Sequence, residues 1–367
     1  MATATTNDEE YDRAKAVKHF DDSKIGVKGL VDSGITTIPR FFVHPPEILS
    51  DLKPGSALGS EPDFIPAIDL AGVESDHRRA VIVEQIRRAS STLGFFQIVN
   101  HGVPLGVLDR TMASIKGFYE QPTDIKAQLY RREMVTGVSY FSNLDLYHSK
   151  AASWRDTLQI RLGPKVVDVD QIPEIFRKEL IEWDREIKRL GELLAGLLCE
   201  GLGVEAKRLK EMTCLEGRAM VGNCYPYCPQ PDLTVGLAYH TDPGVLTVVQ
   251  QDHVGGLQVK YGGGCVDVKP IPGALVINIG DLLQIISNDD EYKSAEHRVL
   301  ANLKNEARVS MALFFNPGNR EDLYGPLPEL TSPEKPAIYR QFTLTDFMNR
   351  FFGKELDGKS LINYYKL

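Results

Sequence analysis

The chain has 367 residues, of which 43% are apolar and 25% charged, a composition that sets aside disordered, collagen-like and membrane-embedded classes. Its formal net charge of −8 offers no cationic footprint for a nucleic-acid backbone or an anionic membrane surface, so a small molecule is the expected partner. The five cysteines, Cys199, Cys214, Cys224, Cys228 and Cys265, form no C-x-x-C pair, which argues against a disulfide framework or a structural zinc site and for a reducing compartment.

The acidic N-terminus lacks the apolar stretch of an export signal. Six prolines between Pro39 and Pro66 favour extended or turn backbone, read as an arm leading into the core. A helical period then runs from Ser75 to Ala89 through Val81, Ile82 and Ile86 and stops near Gly94. The strand Phe95 to Asn100 follows, and Pro104 opens a second helix bearing Val107, Leu108, Ile115 and Phe118. A longer helix is expected from Pro173 to Glu200, so the first 215 residues read as helix-rich.

From Ala219 onward the pattern changes to short β-branched runs separated by Gly, Pro, Asn and Asp. The expected strands are Leu233 to Tyr239, Val245 to Gln250, Leu257 to Tyr261, Ala274 to Ile279, Leu282 to Ser287 and Arg308 to Phe315, a spacing that suits a two-sheet antiparallel sandwich or barrel. Gly255-Gly256 and Gly262-Gly263-Gly264 read as hairpin turns, because no helix start follows them as a phosphate-binding loop requires. A terminal helix is expected over Leu344 to Phe352. No stretch approaches 18 uninterrupted apolar residues, and the last residues match no prenylation box or peroxisomal address. A cytoplasmic monomer with no membrane span is the expectation.

His240-Thr-Asp242 closes an alternating segment, and in a strand residues two apart project to one face, where both side chains can grip an ion. The motif alone is weak, since eight histidines and 50 acidic residues yield about one chance match. A second copy, His19-Phe-Asp21, sits in a charged segment without alternation and is assigned to the surface. An iron(II) triad of two histidines and one carboxylate needs another imidazole. His253 precedes Gly255-Gly256 and is expected to face solvent, whereas His297 opens the β-branched run Arg298 to Leu300. Eleven residues later, Arg308-Val-Ser310 offers a guanidinium fork and a hydroxyl on one face, suited to a carboxylate.

Together, these elements resemble the iron and 2-oxoglutarate signature of plant 2-oxoglutarate-dependent dioxygenases. Asn223 to Pro231, Gly255 to Val259, Asn278-Ile-Gly-Asp281 and Gly94 to Gly102 resemble further family segments, and the likeness spans roughly residues 20–366. Gly26 to Gly34 and Ser142 to Tyr147 resemble the homologues of aminocyclopropane-carboxylate oxidase. The resemblance implies a mainly β fold with α, a double-stranded β-helix (jelly roll) whose core is braced by the N-terminal and central helices. It divides the chain into an arm over 1–66, a helix-rich region over 67–215, the dioxygenase core over 216–320 and a C-terminal extension over 321–367. By position it implies iron ligation by His240, Asp242 and His297, and 2-oxoglutarate binding by Arg308 and Ser310 with Tyr225 and Asn223 near its other end. It points to a substrate pocket at Tyr140, Asn143, Val221, Phe314, Asn316, Phe342 and Phe347. Two departures stand out: Cys265 replaces the tryptophan common in relatives, and the interval from His297 to Arg308 is one residue longer than in many of them.

The implied activity is oxidation, chiefly hydroxylation, of a small plant specialised metabolite, using molecular oxygen and releasing succinate and CO2, with ascorbate as a candidate reductant. Three rivals stand beside it. An ascorbate-dependent oxidase of the aminocyclopropane-carboxylate oxidase type would share iron and fold but ignore 2-oxoglutarate. A zinc hydrolase would want an H-E-x-x-H helix, which is absent. A catalytically silent metabolite-binding protein would leave the full ligand set without a purpose.

Overall fold

A computed structural model describes residues 11–50, 64–132, 137–165, 167–288, 291–353 and 360–367; part of the proline-rich arm, 51–63, and the acidic segment 1–10 lie outside the described residues. The expected helices are present as Asp76–Thr92, Leu105–Tyr119, Glu174–Gly201 and Leu344–Phe352. On the Glu174–Gly201 helix, Phe176, Leu180, Trp183, Ile187, Leu190 and Leu194 are buried, the three-to-four spacing of a helix that packs one face.

The strands, in chain order, are β1 Ala67–Asp69, β2 Phe95–Val99, β3 Val138–Phe141, β4 Asp156–Gly163, β5 Gly217–Tyr225, β6 Val235–His240, β7 Leu246–Gln251, β8 Leu257–Tyr261, β9 Gly264–Asp267, β10 Leu275–Ile279, β11 His297–Leu300 and β12 Arg308–Asn316. They form an eight-stranded sheet in the order β1-β2-β10-β7-β12-β5-β4-β3 and a four-stranded sheet in the order β6-β11-β8-β9. The large sheet draws β1 to β4 from the stretch read as helix-rich, so its strands lie on both sides of residue 215.

Strand alternation explains how the two faces of the large sheet are used. Leu158, Ile160, Met220, Val248, Ile277, Met311, Leu313 and Phe315 join the three long helices in one large core. The opposite face looks toward the small sheet, where Phe95, Tyr225, Leu237, Leu257, Val259, Val276 and Val299 pack into a second cluster. The jelly roll is thus a sandwich whose outer side is sealed by helices and whose inner side meets the small sheet.

Three expectations are corrected. Leu282 to Ser287 is a helix, Asp281–Ile286, with all six residues buried; a short apolar run buried on every side carries no period by which strand and helix can be told apart. Gly255-Gly256 makes no hairpin, because β7 belongs to the large sheet and β8 to the small one; the pair, at φ +85° and +95°, carries the chain between sheets. Only the second glycine cluster turns a hairpin, β8 to β9. His19 is exposed as expected, yet Asp21 is not a free surface carboxylate: it accepts from Arg132 Nε at 2.8 Å, from the Tyr147 hydroxyl at 2.7 Å and from the Tyr130 hydroxyl.

The N-terminal helices Arg13–Ser23 and Gly26–Asp32 pack through Val17, Phe20 and Val27 onto Phe41, Phe42 and Trp154. Their tether is Asp156, fully buried on β4, which accepts from the backbone N–H groups of Val27 and Lys28, each at 2.8 Å, and from the Ser142 hydroxyl. Burial pushes this carboxyl up, opposed by those same hydrogen bonds. Gly26, at φ +70°, leaves room for the contact: a Cβ there would stand 2.7 Å from the carboxylate oxygens. Asp156→Ala should cost about 3 kcal/mol, since it orphans buried backbone donors, and Asp156→Asn, which keeps one acceptor, should cost less. Urea denaturation of both variants measures this, and an unshifted midpoint in the alanine variant would refute the tether.

Candidate metal centre

His240 ends β6 and His297 begins β11, and the antiparallel register sets the two residues directly opposite each other. Their rings lie 4.2 Å apart between centroids, tilted by 53°. Each imidazole is oriented alike: Nδ1 lies 3.0 Å from the carbonyl two residues upstream, Ala238 for His240 and Ala295 for His297. With Nδ1 donating, each Nε2 presents a lone pair, and these stand 3.5 Å and 3.7 Å from Asp242 Oδ1. Phe95 closes over His297 edge-on at 5.0 Å.

Asp242 lies past the end of β6, so strand alternation does not aim it. The large sheet does: Thr247 on β7 and Asn278 on β10 donate to Oδ2 at 2.7 Å and 2.8 Å, which leaves Oδ1 for the imidazoles' side. The turn is held by Asp281, whose N–H reaches the Asp242 carbonyl at 2.7 Å and whose carboxylate accepts from Thr241 Oγ1 at 2.9 Å. It closes only because residue 280 is glycine: a Cβ there would sit 2.0 Å from the Gly244 carbonyl oxygen. The three ligand atoms lie within 4.8 Å of one another and all three residues are buried.

Electrostatics prepare the site for a cation. Burial, and then the neighbouring His240, push His297 down to about 4, so it is a neutral ligand at neutral pH. Burial works to raise Asp242, but the two imidazoles and the Thr247 hydrogen bond outweigh it and hold the carboxylate well below its usual range. A carboxylate and two imidazoles on one side of an ion form a facial triad that leaves the opposite side open.

On the adjacent rungs of the large sheet, Arg308 and Ser310 of β12 pair with Tyr225 and Asn223 of β5. Arg308 is only 2% exposed and spans Ser310 Oγ at 3.0 Å and Gln251 Oε1 at 3.2 Å, with its guanidinium 5.0 Å from the centroid of the Tyr225 ring. Its Nε has no hydrogen-bond partner, and among the described residues it makes no ion pair with a carboxylate. A buried, uncompensated guanidinium is costly, and a carboxylate ligand would supply the missing charge. Asn223 is held through Oδ1 by Thr157 Oγ1 at 3.1 Å and Arg155 Nη1 at 3.3 Å.

The expected pocket residues separate into two groups. Val221, Phe314 and Asn316 are partly exposed on the inner face of the large sheet. Tyr140 is fully buried among Phe118, Tyr119 and Tyr130, and Phe342 and Phe347 stack at 4.8 Å beneath Tyr365, inside the core. Asn143 is buried, with its amide bonded to the Ser153 backbone at 2.7 Å and 2.8 Å. The structure places these four in packing. Sequence reasoning did not single out Thr247, Asn278, Gln251, Thr157 and Arg155; Asn278-Ile-Gly-Asp281 was noted only as a family segment, though it holds Asp242. His253 is exposed as expected, with its Nε2 3.1 Å from a Glu306 carboxylate oxygen.

Cys265 lies on β9 with its sulfur against the Tyr239 hydroxyl. All five cysteines are free and buried, and no helix among the described residues is long and apolar enough to cross a membrane.

A jelly roll that carries two histidines and a carboxylate on one rim, beside a buried unpaired cation, has the construction of a non-haem iron oxygenase. Residues 217–317 match the model of the 2OG-Fe(II) oxygenase superfamily, and 65–174 that of the non-haem dioxygenase in morphine synthesis N-terminal region. The chain belongs to the 2-oxoglutarate- and iron(II)-dependent oxygenases, in the group of plant 1-aminocyclopropane-1-carboxylate oxidase homologues. It is 47% identical to homolog 4 of Arabidopsis thaliana, over 97% of this chain and 99% of that one, and 44% identical to a homolog of Solanum lycopersicum, over 98% of each. Among solved structures it is similar to JOX2 in complex with 2OG, Fe and JA (30% identity, TM-score 0.83, covering 93% of this chain and 97% of that one). It is also similar to the dioxygenase for auxin oxidation in rice (26% identity, TM-score 0.70, covering 83% and 100%).

Two outcomes follow for this centre. Asn278→Ala should weaken iron binding by about ten- to a hundredfold, because a support of the Asp242 carboxylate is lost; anaerobic iron titration measures it. For metal-free protein, an unfolded imidazole titrates near 6.5 whereas His297 is held down to about 4. Acid therefore favours the unfolded chain, and stability falls as pH drops from about 6.5 toward 4. Melting temperatures across that window should decline less in His297→Gln than in the wild type.

Proposed function

We propose that the chain hydroxylates a small plant specialised metabolite, with His240, Asp242 and His297 holding iron(II) and Arg308 with Ser310 holding the far carboxylate of 2-oxoglutarate. The observation that carries this reading is Arg308, a buried cation with no carboxylate partner among the described residues, set on the same inner face as Thr247, which supports Asp242. Bound iron supplies the activation of oxygen, coupled to decarboxylation of 2-oxoglutarate to succinate and CO2.

The protein's own part is positioning. Arg308 and Ser310 orient the cosubstrate by a charge-assisted fork and a hydroxyl, with Tyr225 beneath the guanidinium and Asn223 on the next rung toward the keto end. Thr247 and Asn278 fix which oxygen Asp242 offers. Val221 and Phe314 give the inner face an apolar surface on which a substrate can lie, and the helix-sealed outer face excludes water from behind. Both structural neighbours are named with small organic molecules, JA in one case and auxin in the other, and an organic substrate of that scale suits a partly open inner face of this kind. The second reading, an ascorbate-dependent oxidase, shares the triad and differs in consuming no 2-oxoglutarate.

Arg308→Ala should weaken 2-oxoglutarate binding by about ten- to a hundredfold, as expected for loss of hydrogen bonds to a charged group, with folding intact. Unchanged affinity would remove its assigned role. His240→Ala should abolish iron retention and turnover while the far-ultraviolet spectrum stays the same. The deciding assay is iron-dependent oxygen incorporation into a metabolite extract with equimolar succinate; product without succinate would favour the ascorbate-dependent reading.

A further inference from the structure

β4 carries a second arginine on the inner face. Leu158, Ile160 and Leu162 point into the helix-covered core, so Thr157, Gln159 and Arg161 face the other way, and the bond from Thr157 to Asn223 ties that row to the cosubstrate side. The register runs one rung straight across the sheet: Arg161 opposite Ala219, Ala219 opposite Phe314, Phe314 opposite Thr247. Thr247 touches Asp242. Three strand spacings separate the backbone of Arg161 from that of Thr247 by about 14 Å, much of which an extended arginine side chain spans. The gap left is the length of a small organic molecule.

Arg161 is partly buried and its Nε is orphaned. Among the described residues no carboxylate pairs with it. The charge that acts on it is another cation, Arg320, so burial and then like-charge repulsion both push its pKa down. Arg320 lies on the segment that follows β12, exposed and likewise without an acidic partner among the described residues; the carboxylate of the adjacent Glu321 is taken by the Thr345 hydroxyl. A partly buried guanidinium that feels another cation and has no acidic partner among the described residues is stabilised by an anion that joins it.

The anion cannot be 2-oxoglutarate. Arg308 and Phe314 are six residues apart on β12, about 20 Å, and Arg161 is two strands further over. That span exceeds any reach of one five-carbon diacid already fixed at Arg308. Between Arg161 and the triad the lining is apolar, Ala219, Val221 and Phe314, all partly exposed. The polar groups at this end are the partly exposed Gln159 of β4 and Asn316, whose Oδ1 is buried and unpartnered.

We propose that Arg161 binds the carboxylate of the substrate, so that the substrate is an organic acid with an apolar body whose oxidised carbon lies well away from its acid group. This rests on the reading of the chain as a 2-oxoglutarate-dependent hydroxylase. The guanidinium fork fits a carboxylate in two parallel hydrogen bonds, and Asn316 accepts from a hydroxyl or amide nearer the metal.

The test uses the full-length protein, loaded anaerobically with iron(II) and 2-oxoglutarate. The probes are a panel of monocarboxylic acids with aromatic or alicyclic bodies of eight to fourteen carbons, each paired with its methyl ester, and calorimetry reads their affinities. The expected result is that some acids bind about ten- to a hundredfold more tightly than their esters. That preference should disappear in Arg161→Gln and return in part in Arg161→Lys, with the affinity for 2-oxoglutarate unchanged in both. A panel in which no acid outbinds its ester overturns the proposal, as does an Arg161→Gln protein that keeps the preference. If the wild type fails to bind 2-oxoglutarate at all, the underlying reading falls first and this one with it.

Discussion

The centre depends on a cross-strand pair, His240 on β6 against His297 on β11. Directly opposed residues of an antiparallel ladder bring their side chains close without any help from the rest of the fold. The same ladder makes the pair vulnerable, because a slip by one residue turns a side chain to the other face of the sheet. Register shifts occur immediately beyond His297, as bulges often do beside functional sites. After the first of them, Val299 and its partner Leu237 return to the inter-sheet cluster. Register is therefore pinned by apolar burial on one side of the irregularity, and the imidazoles are free to meet on the other.

The carboxylate of the triad comes under a different control. Asp242 hangs beyond the end of the small sheet and is aimed by Thr247 and Asn278 of the large one, while Gly280 and Gly244 approach closely enough to fold the turn. The metal centre thus joins the two sheets, two ligands standing on one and the third steered by the other. Any motion that opened the sandwich at this rim would separate imidazoles from carboxylate before it disturbed either sheet. The long helix Glu174–Gly201 and its neighbours hold the large sheet from behind, which is how helices distant from the chemistry serve it.

The parts of this design that were legible in the sequence were those written in short, regular spacings. Strand alternation disclosed β7, β8, β10 and β12 to within a residue or two, and the paired placement of Arg308 and Ser310 on one face followed from the same period. His297 was separable from His253 because one heads a β-branched run and the other precedes glycines. What stayed hidden had no period to show. Asp281–Ile286 is buried on all sides, so its apolar run reads equally as a strand. β4 passed unremarked although it alternates, because it stands alone between segments read as helix. Tyr140, Asn143, Phe342 and Phe347 were drawn toward the pocket by resemblance and belong instead to packing, since position in a family does not report which way a side chain is already committed. The reason for aiming Asp242 was also misread: alternation with His240 gave the right residue for a geometry that Thr247 and Asn278 impose.

Buried charge separates architecture from function in this protein. Asp156 is wholly buried and fully satisfied by Val27, Lys28 and Ser142. Asp252 accepts from the N–H groups of Val309 and Val254 at 2.6 Å and 3.0 Å and lies 3.5 Å from Lys116. Asp21 meets Arg132 and two tyrosines. Each of these carboxylates is held by at least two donors of the chain, so removing a partner would damage the fold. Arg308 and Arg161 do the reverse: each retains an orphaned buried Nε, and neither has a carboxylate among the described residues. On the readings proposed above, the carboxylates of 2-oxoglutarate and of the substrate would make up that deficit, at opposite ends of one sheet face.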